Sequence, residues 1–161
     1  MKEQISLTTI YVALLGSVAL AFGIADILVW AGVLNSIEIG ILTIGGDDFF
    51  RWAWGGLVLT FGGILMLSGA QNIYQLQQFS KAFLGAVMVW IIAFTDIFAT
   101  VCENIPAGEE TPAFFNSLYG FFSGFLPPYT PAVLLLPFTF LLAYGVYTWN
   151  SDESKRDLPD E

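Results

Sequence analysis

Four long apolar runs, separated by shorter polar stretches, dominate the pattern of this chain. The runs cover about residues 6–34, 52–73, 82–101 and 131–149. An α-helix of about 20 apolar residues is long enough to cross the hydrocarbon core of a bilayer. The pattern therefore predicts an all-α fold, an integral membrane four-transmembrane-helix bundle that forms a single domain over residues 1–150.

The composition agrees with a membrane location. Of the 161 residues, 56% are hydrophobic and 12% are charged, whereas a soluble domain carries about 25% charged residues. The first run follows a short MKEQ segment, as the core of a signal peptide would. It is longer than a typical signal core of about 7–15 residues and no A-x-A-like site closes it, so we expect a retained helix.

The basic residues suggest an orientation. Most of them fall on the side shared by the N-terminus, the connection between the second and third runs, and the C-terminus: Lys2, Lys81, Lys155 and Arg156. Arg51 lies on the other side, next to Asp47 and Asp48. Because cytoplasmic loops carry an excess of Lys and Arg, we expect a multi-pass protein of the cell membrane with both termini in the cytoplasm.

Two segments outside the apolar runs have patterns of their own. In the second external loop, residues 102–130, apolar side chains recur at helical spacing from Phe114 to Leu126 in a stretch too short to span. This predicts an amphipathic helix lying in the outer membrane interface. The acidic tail, residues 151–161, lacks an apolar period and is predicted to be a disordered cytoplasmic segment.

The first external loop, residues 35–51, has an apolar middle, Ile37 to Ile44, followed by Gly45-Gly46-Asp47-Asp48. This string predicts a turn, because Gly admits positive φ and Asp caps the turn that follows. Two adjacent carboxylates could also face a hard cation such as Ca²⁺, which takes about 6–8 oxygen ligands. The shortfall in ligands favours the turn, and we predict no metal site.

Glycines recur every seven residues in the second run. Gly55, Gly62 and Gly69 form one series, and Gly56 and Gly63 form a second series one position later. A step of seven returns to nearly the same face of a helix, so these residues predict a groove of bare backbone. Close packing of a neighbouring helix is the usual role of such a groove. A lipid tail or a small substrate lying in it is the alternative.

The first and third runs each contain one carboxylate, Asp26 and Asp96. Each shares a helix face with small residues spaced three or four positions apart, which favours burial between helices over exposure to lipid. Both lie roughly 10–12 Å below the same end of the bundle at 1.5 Å rise per residue. The two acids are therefore predicted to lie at one level in parallel helices.

Two roles are open for these acids. An ionisable residue inside a span is a functional-site hypothesis by default, and Asp26 and Asp96 could form a proton or cation relay. The structural alternative is that each protonated Asp forms an interhelical hydrogen bond. Its partner would be a backbone carbonyl, Thr95, Thr100 or a Trp on a neighbouring helix.

Several classes of function lack the residues they need. The chain has no His, a single Cys (Cys102) and five basic residues. A disulfide framework and the usual haem, copper and zinc sites are thereby disfavoured, and the acids have no partner base for catalysis. The net charge of −9 argues against binding nucleic acid. We therefore predict no enzyme activity and no cofactor.

The sequence thus predicts a small non-catalytic integral membrane subunit or scaffold of a larger membrane protein assembly. Its expected partners are the lipid bilayer and other membrane protein chains. The alternative is a small oligomeric proton- or cation-coupled transporter or channel that uses Asp26 and Asp96. A membrane-bound enzyme acting on lipids is a third class and has the least support.

Overall fold

The computed structural model describes residues 7–103, 123 and 125–156. Its long helices are α1 (Leu7–Trp30), α2 (Gly55–Ala70), α3 (Leu76–Glu103) and α4 (Pro131–Arg156), and a π-helix (Phe49–Trp54) directly precedes α2. Two short strands, β1 (Ile37–Ile39) and β2 (Leu42–Ile44), form a hairpin between α1 and the π-helix. The predicted all-α class is confirmed, with this small hairpin added to it.

Three helical segments are long and apolar enough to cross a membrane: Leu7–Trp30, Phe49–Ala70 and Leu76–Cys102. The apolar part of α4, Pro131–Leu142, is shorter, although the helix itself continues past Trp149 to Arg156. These lengths agree with the predicted membrane protein. Most of the predicted interfacial helix, and residues 157–161 of the tail, lie outside the described residues.

Helix α2 lies at the centre, with α1 packed on one side and α3 on another. The two glycine series divide between these neighbours. Gly63 faces α1 so closely that a Cβ added to it would lie 2.6 Å from the amide nitrogen of Leu20 and 2.7 Å from the carbonyl oxygen of Gly16. Gly62 faces α3, where an added Cβ would lie 3.0 Å from the carbonyl oxygen of Gly85.

The sequence predicted a single groove along α2. In the structure the glycines form two neighbouring faces of that helix, each packed against a different helix. Gly56 belongs with Gly63 on the α1 side, and Gly55 and Gly69 belong with Gly62 on the α3 side. Each face is filled by the backbone and side chains of a helix from the same chain. Helix packing is therefore the use to which the structure puts both series.

Helix α4 is held mainly against α3 by directed polar and aromatic contacts. The indole Nε1 of Trp90 donates a hydrogen bond of 2.7 Å to the hydroxyl of Thr139, which in turn donates to the carbonyl of Leu136. Trp90 also stacks on Phe140 with ring centroids 5.0 Å apart. On the α1 side, the Tyr11 hydroxyl donates to the carbonyl of Phe138.

The β-hairpin fastens the start of α4. The amide of Thr43 donates to the carbonyl of Tyr129 (3.0 Å), and the amide of Tyr129 donates to the carbonyl of Ile41 (2.7 Å). Gly40, at φ +58°, makes the turn between the strands. The sequence pattern predicts no strands here, because two strands of three residues are too short to show an alternating pattern.

Candidate functional site

The Gly-Gly-Asp-Asp string, for which a turn was predicted, has a bend at Asp47 and leads directly into the π-helix. The Asp48 side chain caps the π-helix by accepting a hydrogen bond of 3.0 Å from the amide of Arg51. Gly46 has φ +143° and lies against the Trp52 indole, where an added Cβ would come within 2.5 Å of Nε1. Glycine is therefore required here both for the backbone conformation and for the close contact.

Asp96 lies at the centre of a polar cluster at the hairpin end of the bundle. Its side chain is buried, with 7% of the residue exposed. The Nε of Arg51 lies 3.6 Å from its Oδ1, and the Thr130 hydroxyl donates a hydrogen bond of 2.7 Å to its Oδ2. One carboxylate thus joins α3 to the π-helix and to the residue that precedes α4.

The partners of Asp96 are not those expected from the sequence. The hydroxyl of Thr95 donates to the carbonyl of Ile91, and that of Thr100 donates to the backbone carbonyl of Asp96. These are local helix contacts, which Thr makes readily to a carbonyl four residues earlier. The side chains that reach the Asp96 carboxylate are Arg51 and Thr130, which sequence reasoning did not assign to it.

One of the two missed partners left a signal in the sequence. Arg51 is the sole basic residue between Lys2 and Lys81, and it lies at the same predicted end as Asp96. A buried acid needs a nearby positive charge or a proton, so this Arg was the natural partner. Thr130 left no comparable signal, because its position depends on how the chain returns from residue 103 to α4.

Asp26 is placed differently. It is 4% exposed and packs against α2, where a Cβ added to Gly56 would lie 2.9 Å from the Asp26 Cβ. Its Oδ1 is buried and has no hydrogen-bond partner among the described residues, and the same is true of the hydroxyl of Thr60, one turn along α2. A buried polar atom without a partner costs about 1–3 kcal/mol, and such exceptions call for an explanation.

The two acids lie in different surroundings. Asp26 is at the α1–α2 interface, whereas Asp96 faces the π-helix and the start of α4. No hydrogen bond joins the two carboxylates. Asp96 is held by Arg51 and Thr130, whereas the Oδ1 of Asp26 has no hydrogen-bond partner among the described residues.

Two cavities flank the Arg51–Asp96 pair. The larger, here called the hairpin-end cleft, has a volume of about 670 Å³. The smaller, of about 250 Å³, lies on the other side of the pair, and both Arg51 and Asp96 line the two cavities. The hairpin-end cleft is lined by five polar side chains, which are Thr43, Arg51, Asp96, Thr100 and Thr130, and otherwise by Gly45 and apolar and aromatic residues.

Within the part of the chain that the structure describes, no group of three or more His, Cys, Asp or Glu residues is arranged to hold a metal ion. The site therefore consists of one Arg–carboxylate pair, one separate carboxylate and a cleft with a polar and an apolar part. Comparison with protein-family models, with curated proteins and with solved structures gives no match for this chain.

Proposed function

We propose that this chain is a small non-catalytic integral membrane subunit or scaffold of a larger membrane protein assembly. The observation that carries this proposal is that α1 has small residues on two opposite sides. On one side, Gly16, Ala19 and Gly23 are buried. On the other, Ser17 and Ala21 are exposed one turn apart. Small residues let a second membrane helix approach closely, so this outer side suits a helix of another chain.

The surroundings of Ser17 fit a partner helix within the membrane. The Ser17 hydroxyl donates to the carbonyl of Ala13, so its polarity is already satisfied within α1. Large apolar side chains flank the pair, with Ile10, Leu14 and Ile24 all exposed. The outer side of α1 therefore has a shallow centre at Ser17 and Ala21, with large apolar side chains before and after it along the same face, a shape that accepts a helix.

The same proposal includes four spans and cytoplasmic termini in the cell membrane. Helix α4 has 26 residues, which at 1.5 Å rise corresponds to about 39 Å. In this proposed topology the start of α1, the turn between α2 and α3, and the end of α4 belong to one end of the bundle, together with Lys81, Lys155 and Arg156 of the sequence. The acidic Glu38, Asp47 and Asp48 lie at the hairpin end, which fits the positive-inside rule.

The experiment is purification of the tagged chain from its native membrane in a mild detergent, followed by mass spectrometry of the chains that accompany it. We expect unlike membrane chains in fixed proportion. The double variant Ser17→Leu/Ala21→Leu should release them, because two bulky side chains keep the second helix at a distance. The matched control is Ser68→Leu, which makes the same change on an exposed position of α2.

Two results would contradict the proposal. One is recovery of a homogeneous assembly that contains copies of this chain alone. The other is release of the accompanying chains by Ser68→Leu as readily as by the α1 double variant.

We also propose a second candidate function, a proton- or cation-coupled transporter, and a specific observation favours it. The buried Oδ1 of Asp26 lacks a hydrogen-bond partner among the described residues and lies at the same interface as the unpartnered Thr60 hydroxyl. A carboxylate in that state can take up a proton or a small cation without first breaking a contact. Asp96, which is held by Arg51 and Thr130, would serve to fix the helices around it.

This candidate is tested in reconstituted vesicles that carry a proton or sodium gradient. If the chain transports, Asp26→Asn should abolish gradient-driven flux, and Asp96→Asn should lower it through the packing of α3 and α4. Flux that is unchanged in Asp26→Asn, or absent from the unmodified protein under every gradient tried, would refute the transporter.

A further inference from the structure

The hairpin-end cleft has the size and the two-part lining of a binding site for an amphipathic molecule. Pockets for small molecules usually have volumes of about 300–1,000 Å³, with a few polar groups among apolar walls. At 670 Å³ this cleft is within that range. Its polar part is formed by Arg51, Asp96 and Thr130, and its apolar part continues along α4.

The apolar wall of the cleft is formed by the first two turns of α4 and extends away from the hairpin end. Val133, Leu134, Pro137 and Phe138 line the cleft along successive turns of that helix. Phe138 is 53% exposed, so the wall also opens toward the surroundings of the bundle. A ligand with a polar group at the hairpin end could therefore lay a hydrocarbon chain along α4 and continue into the bilayer.

The charges at the polar part favour one kind of headgroup. Arg51 and Asp96 lie next to each other in the wall, with Nε and Oδ1 3.6 Å apart, so the cleft presents a positive and a negative group side by side. A purely anionic headgroup would meet Asp96 as well as Arg51, and a purely cationic one would meet Arg51. A headgroup that carries both charges finds a complement for each.

The apolar wall itself contains one polar feature. Pro137 has no N–H, so the carbonyl of Val133 cannot receive the usual helical hydrogen bond from residue 137. Both residues line the cleft. The wall therefore includes a backbone carbonyl that lacks its helical donor, three residues along the chain from Thr130.

From these features we propose that the hairpin-end cleft binds one membrane lipid with a zwitterionic headgroup. Its phosphate lies beside Arg51, its ammonium group lies beside Asp96, and one hydrocarbon chain follows the α4 wall. This inference concerns a bound lipid and does not depend on whether the chain acts as a subunit or as a transporter.

The test is native mass spectrometry of the full chain after removal of lipid and addition of one of three lipids with identical acyl chains. These are phosphatidylethanolamine, which is zwitterionic, phosphatidylglycerol, which is anionic, and a trimethylammonium lipid, which is cationic. We expect one phosphatidylethanolamine per chain to survive collisional activation that strips the other two. Its affinity should be about tenfold higher, since a factor of ten corresponds to about 1.4 kcal/mol, less than one charged contact supplies.

A blocking variant and a matched control locate the site. Val133→Trp fills the cleft and should lower retention of phosphatidylethanolamine at least about tenfold. Leu141→Trp makes the same change on an exposed position of α4 outside the lining and should leave retention unchanged. Circular dichroism of both variants checks that the helices are intact.

The proposal is overturned if phosphatidylglycerol or the cationic lipid is retained as well as phosphatidylethanolamine, or if Val133→Trp retains the lipid as well as Leu141→Trp. Soluble glycerophosphoethanolamine distinguishes the two sources of the headgroup. If soluble glycerophosphoethanolamine binds much more weakly than the whole lipid, the result supports a lipid site. If the two bind equally, the α4 wall contributes nothing and the proposed lipid site is refuted.

Discussion

The two sides of α2 are held to their neighbours by close backbone packing, whereas the hairpin end of the bundle is held by a few polar side-chain contacts. Along α2 the helices approach so closely that a Cβ added to Gly56, Gly62 or Gly63 would meet backbone atoms of the neighbouring helix, among them the carbonyl oxygens of Gly23, Gly85 and Gly16. At the hairpin end, a few directed contacts among Arg51, Asp96 and Thr130 hold three elements around open space. The first region has no room for an added Cβ at its closest contacts, Gly56 and Gly63, whereas the second depends on the chemistry of single side chains.

The contrast follows from the surrounding solvent. Lipid tails are as apolar as the helices, so helices in a membrane gain little from burying apolar surface and associate through close packing and hydrogen bonds. The glycines of α2 provide the first of these, and the Asp96 cluster provides the second. A region that is held by a few polar contacts can also keep a cavity, and the hairpin end keeps two.

The largest expected effect comes from adding a methyl group to the packed faces of α2. Gly63→Ala should lower the free energy of unfolding by about 2–3 kcal/mol, because the new Cβ meets the backbone of α1 and the helices must separate. Unfolding by SDS in mixed micelles, followed by circular dichroism, measures this.

The control is the same substitution on the same helix. A Cβ at Gly55 would lie 3.5 Å from the nearest side-chain atom of Ile92, an ordinary contact. Gly55→Ala should therefore be neutral, or should stabilise by up to about 1 kcal/mol through its better helix propensity. Equal losses in the two variants would show that packing distance is not what the glycines provide.

A smaller effect is expected at the hairpin end. Arg51→Met should lower the free energy of unfolding by about 1–3 kcal/mol, because the buried carboxylate of Asp96 loses its positive neighbour. The double variant Arg51→Met/Asp96→Leu should recover most of that loss, since an apolar pair of similar volume often replaces a buried ion pair at little cost. A double variant as unstable as the sum of the two single variants would show that Arg51 and Asp96 act independently, and would contradict a stabilising interaction between them.

The smallest effect is expected at the α3–α4 contact. Thr139→Val leaves the Trp90 indole without its hydrogen-bond acceptor and should cost about 1 kcal/mol. Trp90→Phe removes the donor but also reduces the ring that stacks on Phe140, so the hydrogen bond is isolated by making Thr139→Val in the Trp90→Phe background. There Thr139→Val should cost less than in the unmodified chain, as measured by thermal unfolding in detergent, and an equal cost in the two backgrounds would contradict the proposed roles of donor and acceptor.

Much of the bundle could be predicted because membrane helices are constrained by length and polarity. The apolar runs located all four helices, and the seven-residue spacing of the glycines identified α2 as a helix with close neighbours. The ends were less accurate. Helix α3 begins at Leu76 and not at Ala82, because a helix continues into polar residues once its backbone hydrogen bonds are formed.

The candidate site was predicted only in part. The spacing of small residues indicated that Asp26 and Asp96 would be buried, and both are. Their different surroundings depend on residues far away in the chain, since Arg51 and Thr130 reach Asp96 only through the π-helix and the hairpin. Local periodicity contains no information about such contacts, and the short strands that create them leave no pattern of their own.

The two hydrogen bonds between the hairpin and Tyr129 have a consequence for how this sequence can change over time. Both are formed by backbone groups, through Thr43 and Ile41 on the hairpin side, so their formation does not depend on which side chains stand at these positions. Most substitutions there would leave the start of α4 in place, and a proline at 43 or 129, which removes an amide donor, would not. Evolution is therefore free to vary the chemistry around the hairpin-end cleft while the frame that holds the cleft open is inherited unchanged.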